Sequence, residues 1–187
     1  MIGMLSYDEP IDRSRAVGPN VVGGLPAHIL LVHAVIVFVP LTALLTVLHA
    51  AWPAAGRRLG VVTPLLALGT LILVPITTNA GEWLRDHLPP EVVGAADARQ
   101  HIELGQGLLP YVIALFVVAV GVWWYTRMTR SVRPVFGDQR SDGARARWVT
   151  IAVTLVTLLV AAAAVYQLYR VGDSGSRAVW RYVVENK

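Results

Sequence analysis

The chain has 187 residues, of which 55% are hydrophobic and only 15% charged, against about a quarter charged in a soluble domain, so lipid is the solvent this composition fits. The net charge is +4 and the pI about 9.8, but the basic residues flank apolar runs and lack the interleaved aromatics of a nucleic-acid surface. The absence of cysteine excludes disulfides, thiolate metal sites, cysteine-held iron–sulfur clusters and covalent c-type haem.

The first 24 residues include Asp8, Glu9 and Asp12. They lack the basic start and apolar core of a cleaved leader, and are read as a mobile extracytoplasmic tail. Four apolar runs follow, at 28–49, 59–78, 108–125 and 148–169, none containing Asp, Glu, Lys or Arg. Each is close to the roughly 20 residues that cross about 30 Å of hydrocarbon. Inside a bilayer such segments satisfy their backbone only as helices. Short connections make neighbouring helices antiparallel. The fold class is therefore all-α: an integral membrane protein with four transmembrane helices in an up-down-up-down bundle over 25–170, followed by an extracytoplasmic segment over 171–187. Pro40, Pro75 and Pro110 interrupt the first three spans, and the run Ala161 to Ala164 offers a close-packing face on the fourth. No internal repeat is visible.

The connections set orientation. The first carries Arg57 and Arg58. The third carries Arg127, Arg130, Arg133, Arg140, Arg145 and Arg147, against Asp138 and Asp142. The second balances Arg85 and Arg99 against Glu82, Asp86, Glu91, Asp97 and Glu103. The positive-inside rule puts connections one and three in the cytoplasm, and hence both termini outside the inner (plasma) membrane. Gly137 to Ala146 reads as a mobile polar linker. The third connection also offers contact to anionic lipid.

Polar residues gather at the outer end: His28, His33, Thr77, Thr78, Asn79, Glu82, His87, His101 and Glu103. Ionisable groups at such depth are costly and mark functional sites. His28 and His33 lie about 140° apart around the first helix, so both cannot face the bundle, and His33 lies about 7 Å deeper. The stretch Ala95 to Gly107 reads as a helical extension of the third span, placing His101 roughly 10 Å above Leu108, nearer the level of His28. Three readings stay open. The histidines ligate a b-type haem, with His28 and His101 the preferred axial pair, His33 the alternative and Glu82 fixing a ligand tautomer. Or they bind a metal with Glu82 or Glu103, or line a proton path. Or they only bond one another and interfacial water. His49 is read as structural, at the inner interface, and His87 as solvated. The segment Val171 to Trp180, VGDSGSRAVW, is read as a glycine turn ending the fourth span. No hydrolase elbow, Walker loop, H-E-x-x-H or dinucleotide fingerprint is present. An electron-transfer protein, an accessory or assembly subunit and, more weakly, a transporter remain the functional classes. The lipid bilayer, a membrane redox complex and further copies of the chain are the candidate partners.

Four segments carry a family resemblance. GLPAHILLVHAVIVFVPLTAL resembles the opening of the domain-of-unknown-function 2231 membrane proteins, approximately P-x-H-P-x-x-V-H, with Ile29 where proline is common. VPITTNAGEWL is similar to that family's glycine segment, RQHIELGQGLLPY to its third-helix entry, and YRVGDSGSRAVW to its C-terminal segment, usually closer to G-H-S-G-A-x-A-x-W. The resemblance implies a four-helix membrane bundle, with His28, His33 and His101 on motif positions. It also implies a neighbourhood of redox modules, since such proteins occur fused to or beside Rieske-type or cytochrome c-type domains. Asp173 stands where the resemblance leads one to expect histidine.

Overall fold

The computed structural model describes residues 21–22, 25–131 and 139–185. The expectation of a mobile tail falls almost wholly on residues outside that set, as does part of the polar linker. The first described element is a two-residue antiparallel pairing, β1 (Val21–Val22) with β2 (Leu25–Pro26). The elements described after it are all helices: α1 (Ala27–Ala51), α2 (Pro53–Leu59), α3 (Val62–Asp86), α4 (Pro90–Gly94), α5 (Ala96–Gln106), α6 (Leu109–Ser131) and α7 (Gln139–Glu185).

Four helical stretches are long and apolar enough to cross a membrane: Ala27–Ala51, Val62–Asp86, Ala96–Thr129 across α5 and α6, and Ala144–Trp180 within α7. They run up-down-up-down. α1 packs on α3 and α7, α6 packs on the same two helices, and α1 and α6 touch across the middle. Outward positions are large and apolar, such as Leu65, Val117, Leu155 and Leu159. Exposed apolar residues over the whole girth are the surface of a bundle solvated by lipid.

The core is a column of small and branched side chains: Val35, Val39, Ala43, Val74, Val112, Leu115, Ala161 and Ala164. Ala161 and Ala164 are buried inside the chain's own bundle, so part of the small-residue face of the fourth span is already in use. Threonines tie the helices together. Thr42 Oγ1 and Thr70 Oγ1 lie 2.8 Å apart between α1 and α3. Thr70 also donates to Leu66 O and Thr46 to Thr42 O, so each hydroxyl spends its proton locally, as apolar surroundings demand. Every fully buried side-chain nitrogen and oxygen among the described residues has a partner.

Several elements depart from the sequence expectation. The second span continues two turns beyond Thr78, to Asp86: hydropathy marks where the apolar run ends, not where the helix does. Pro110 does not interrupt its span: it is the second residue of α6, where a missing N–H costs nothing. Pro40 and Pro75 do lie inside α1 and α3. The expected glycine turn after Arg170 is absent, since α7 runs without a break through Gly172 and Gly175 to Glu185. Among the described residues only Gly60, which caps α2, has positive φ, at 45°. That conformation disfavours any side chain and turns the chain from the short α2, with exposed Arg57 and Arg58, into α3.

Between α5 and α6 the helix breaks at Gly107, whose N–H bonds Glu103 O while Leu108 N–H bonds Gly105 O. The carbonyl of Leu104 is thereby bypassed. The buried Gln167 side chain of α7 donates to it at 3.0 Å. A Cβ at residue 107 would lie 3.4 Å from that amide nitrogen, at the near limit of ordinary van der Waals contact. This junction sets α5, and with it His101, against α7.

Candidate functional site at the histidine end

α1 opens on His28, whose ring crosses to α3. Its Nδ1 donates to the carbonyl of Thr77 at 3.0 Å. A Cβ placed on Gly81, one turn further along α3, would come within 2.9 Å of both Nδ1 and Cε1 of that ring. The glycine is therefore the seat of the imidazole. On the other side of the bundle α5 presents His101 to α7 in the same way. Its Nδ1 donates to the carbonyl of Val171 at 3.0 Å, with Ser174 Oγ at 3.4 Å. A Cβ on Gly175 would come within 3.0 Å of the same two ring atoms. Each glycine sits inside a helix, where it costs about 1 kcal/mol relative to alanine; the ring contact accounts for it.

A carbonyl oxygen only accepts. Each Nδ1 therefore carries the proton, and in the neutral ring each Nε2 holds a lone pair. The rings lie 6.5 Å apart, centre to centre, with planes crossed at 76°. They border a cavity of about 530 Å3, within the ~300–1,000 Å3 typical of ligand and cofactor sites. Its floor is apolar, formed by Val35, Val74, Leu108 and Leu168. Its polar border includes Thr78, Glu82, Arg85, Gln106 and Ser176.

The wall repeats. His28, Ile29, Val32, His33 and Val35 of α1 recur at the same spacing as His101, Ile102, Gly105, Gln106 and Leu108. Val74, Thr77, Thr78, Gly81, Glu82 and Arg85 of α3 recur at the same spacing as Leu168, Val171, Gly172, Gly175, Ser176 and Val179 of α7. α1 and α6 run in one direction, α3 and α7 in the other. The two halves are thus related by an approximate twofold axis along the bundle, the arrangement of parallel repeats. Sequence reading found no repeat because the identities shared in register along this wall are few: His28 with His101, Ile29 with Ile102, Gly81 with Gly175.

The other expected site residues are placed as follows. His33 lines the cavity but is exposed, and its Nδ1 bonds Ile29 O on its own helix. Glu82 also lines the cavity, but its carboxylate accepts from Gln106 Nε2 at 3.4 Å. It fixes neither imidazole; the backbone carbonyls do that. Glu103 is exposed and outside the cavity wall. Asp173 pairs with Arg177 along α7 and is not part of the wall. His87 caps α3, stacked on Trp83 at 4.1 Å with Nδ1 bonded to Trp83 O. His49, at the far end, is 2% exposed and bonded at both nitrogens, to Thr63 Oγ1 and Thr126 Oγ1, each at 3.0 Å. Among the described residues no three His, Asp or Glu side chains converge as a metal cage. Sequence alone does not mark out Gly81 or Gly175 within their longer segments. Glycine four residues after a carbonyl that receives an imidazole is the signal that singles them out.

No curated protein and no solved structure matches the chain. The family model described as "Predicted membrane protein (DUF2231)" matches residues 24–187, which agrees with the four apolar helices, and the chain is a multi-pass membrane protein that belongs to this family.

Proposed function

We propose that the protein holds one b-type haem between His28 and His101 and passes single electrons at the extracytoplasmic end of its bundle. One observation carries the reading: two half-buried imidazoles on facing helices, each with Nδ1 committed to a backbone carbonyl, stand 6.5 Å apart beside a cavity. Two imidazole nitrogens bound at about 2.0–2.1 Å to one metal, each with its ring centre ~1.2 Å behind, give a linear centre-to-centre span of about 6.4 Å. A donor set of two imidazoles without a third side chain suits a metal that brings its own equatorial ligands. It suits zinc poorly, since zinc takes three or four protein ligands. The apolar floor suits a macrocycle. When bound, haem supplies a one-electron couple tuned by its axial ligands and their hydrogen bonds.

The chain's own part is to orient. The carbonyls of Thr77 and Val171 fix both tautomers and leave each Nε2 lone pair to act as the ligand. The buried layer of Val39, Val112 and Leu115 closes the bundle beneath the cavity, which favours this reading over a transport path. The arginine-bearing connections favour an extracytoplasmic histidine end in the inner membrane, facing a membrane redox partner.

The test is an oxidised and a reduced visible spectrum of protein purified in mild detergent after expression with added haem. About one haem per chain with sharp reduced bands is expected. His28→Ala and His101→Ala lose the six-coordinate spectrum, while His33→Ala keeps it. A folded, colourless protein, or an unaltered spectrum in both ligand variants, overturns the proposal; the colourless outcome would move the weight to an accessory subunit.

A further inference from the structure

We infer that Gly81 and Gly175 are positioning residues that hold the two axial imidazoles with crossed planes, so that the bound haem is of the strongly anisotropic low-spin kind. The inference rests on the haem reading and adds to it a geometry and the two residues that enforce it.

The crossing is over-determined. An imidazole has two internal torsions, and each ring here meets two fixed points. One is a carbonyl oxygen 3.0 Å from Nδ1. The other is a glycine Cα so near that one added carbon would stand 2.9–3.0 Å from Nδ1 and Cε1, tighter than ordinary van der Waals contact. The carbonyl directs one edge of the ring, and the helix surface at the glycine limits its rotation. Both constraints act on both rings, with nearly equal distances, because the two halves of the wall share one design. The outcome is the 76° between the planes. His101 has one further and longer contact, to Ser174 Oγ at 3.4 Å.

Crossed planes have an electronic consequence. The π orbital of an axial imidazole interacts with one of two iron d orbitals, depending on how its plane lies. Parallel planes raise one orbital above the other. Perpendicular planes treat the two nearly alike and leave them close in energy. A ferric low-spin centre then shows a highly anisotropic electron paramagnetic resonance signal with one dominant feature at low field. With parallel planes it shows an ordinary rhombic signal.

The experiment is the low-temperature resonance spectrum of the oxidised, haem-loaded full chain, beside Gly81→Ala, Gly175→Ala and the control Gly69→Ala. Nothing lies within 4 Å of a Cβ at Gly69. The wild type is expected to give the highly anisotropic signal, and the control to match it. Each of the other two variants is expected to turn its ring and move the signal toward the rhombic type, with haem still bound and the reduction potential shifted. A bound, bis-histidine haem with a rhombic wild-type signal overturns the inference and leaves the haem reading standing. So does an anisotropic signal unchanged in both cavity variants. Absence of any low-spin haem signal from haem-supplied wild type overturns both. If the alanine variants do not accumulate, the wild-type spectrum alone still decides whether the planes are crossed.

Discussion

Replacing His49 by alanine separates the two ends of the bundle. The ring is 2% exposed and bridges α1 to Thr63 at the start of α3 and to Thr126 on α6. Its removal has two costs. Interhelical side-chain hydrogen bonds in membranes average about 0.6 kcal/mol, so two lost bonds cost roughly 1.2 kcal/mol. The hydroxyl of Thr126 keeps a donor role, since it also reaches Val122 O and Trp123 O, which holds that figure down. Truncating a large buried side chain to alanine costs about 2–5 kcal/mol, and the smaller, partly polar imidazole belongs at the low end. The sum is about 3 kcal/mol. The distance along α1 from residue 28 to residue 49 is roughly 30 Å at 1.5 Å per residue, so the cavity should not notice. The assay is reversible unfolding in mixed micelles of mild detergent and sodium dodecyl sulfate, followed by circular dichroism, with the visible spectrum recorded on the same samples. A lower unfolding midpoint with an unaltered spectrum is expected. A variant as stable as wild type, or one that loses pigment while remaining folded, would refute the structural role of His49.

Other consequences can be measured on the same preparations. Thr42→Val and Thr70→Val, alone and together, should show a coupling of about 0.6 kcal/mol in a double-mutant cycle; additive effects would mean that their 2.8 Å contact contributes nothing. The chain has no cysteine, so Arg58→Cys and Asp86→Cys give unambiguous probes of orientation. Asp86→Cys should react with a membrane-impermeant thiol reagent in intact cells and Arg58→Cys only after lysis, and the opposite pattern would invert the assigned topology. In His28→Gly or His101→Gly, free imidazole should restore the six-coordinate spectrum by donating to the vacated carbonyl of Thr77 or Val171, while His33→Gly should have nothing to restore.

The fold was legible because lipid imposes a coarse requirement. Runs such as 28–49 and 148–169 had to be helices once they were uncharged and long enough. The α5 extension and the similar level of His28 and His101 followed from helix geometry alone. Three things were not legible. Hydropathy stops at Thr78, but α3 goes on to Asp86, so the part of the helix that carries Gly81, Glu82 and Arg85 lay beyond the expected span. Gly172 and Gly175 read as a turn because glycine usually ends helices, whereas Gly175 serves to admit a ring. Glu82 was the conspicuous partner for a histidine because it is ionisable, yet the bonds went to the Thr77 and Val171 carbonyls, which every sequence possesses and none advertises.

The same contrast explains why the twofold was hidden. A lipid-facing position asks only for an apolar side chain, so Leu65, Leu155 and Val117 satisfy it equally, and two halves built to one plan need share almost no letters there. A ring seated on a helix backbone asks for glycine and tolerates nothing larger. The repeat therefore survives in spacing and in a few identities, and its departures include the charged positions of the border. In register, Glu82 corresponds to Ser176, Arg85 to Val179 and His33 to Gln106. The imidazole seats are matched and the polar border is not. A ligand held by the seats alone would meet two equal sides; the border gives it one charged side and one neutral side. The asymmetry of whatever approaches the histidine end is thus written in Glu82 and Arg85, and the symmetry of what is held there in His28, His101, Gly81 and Gly175.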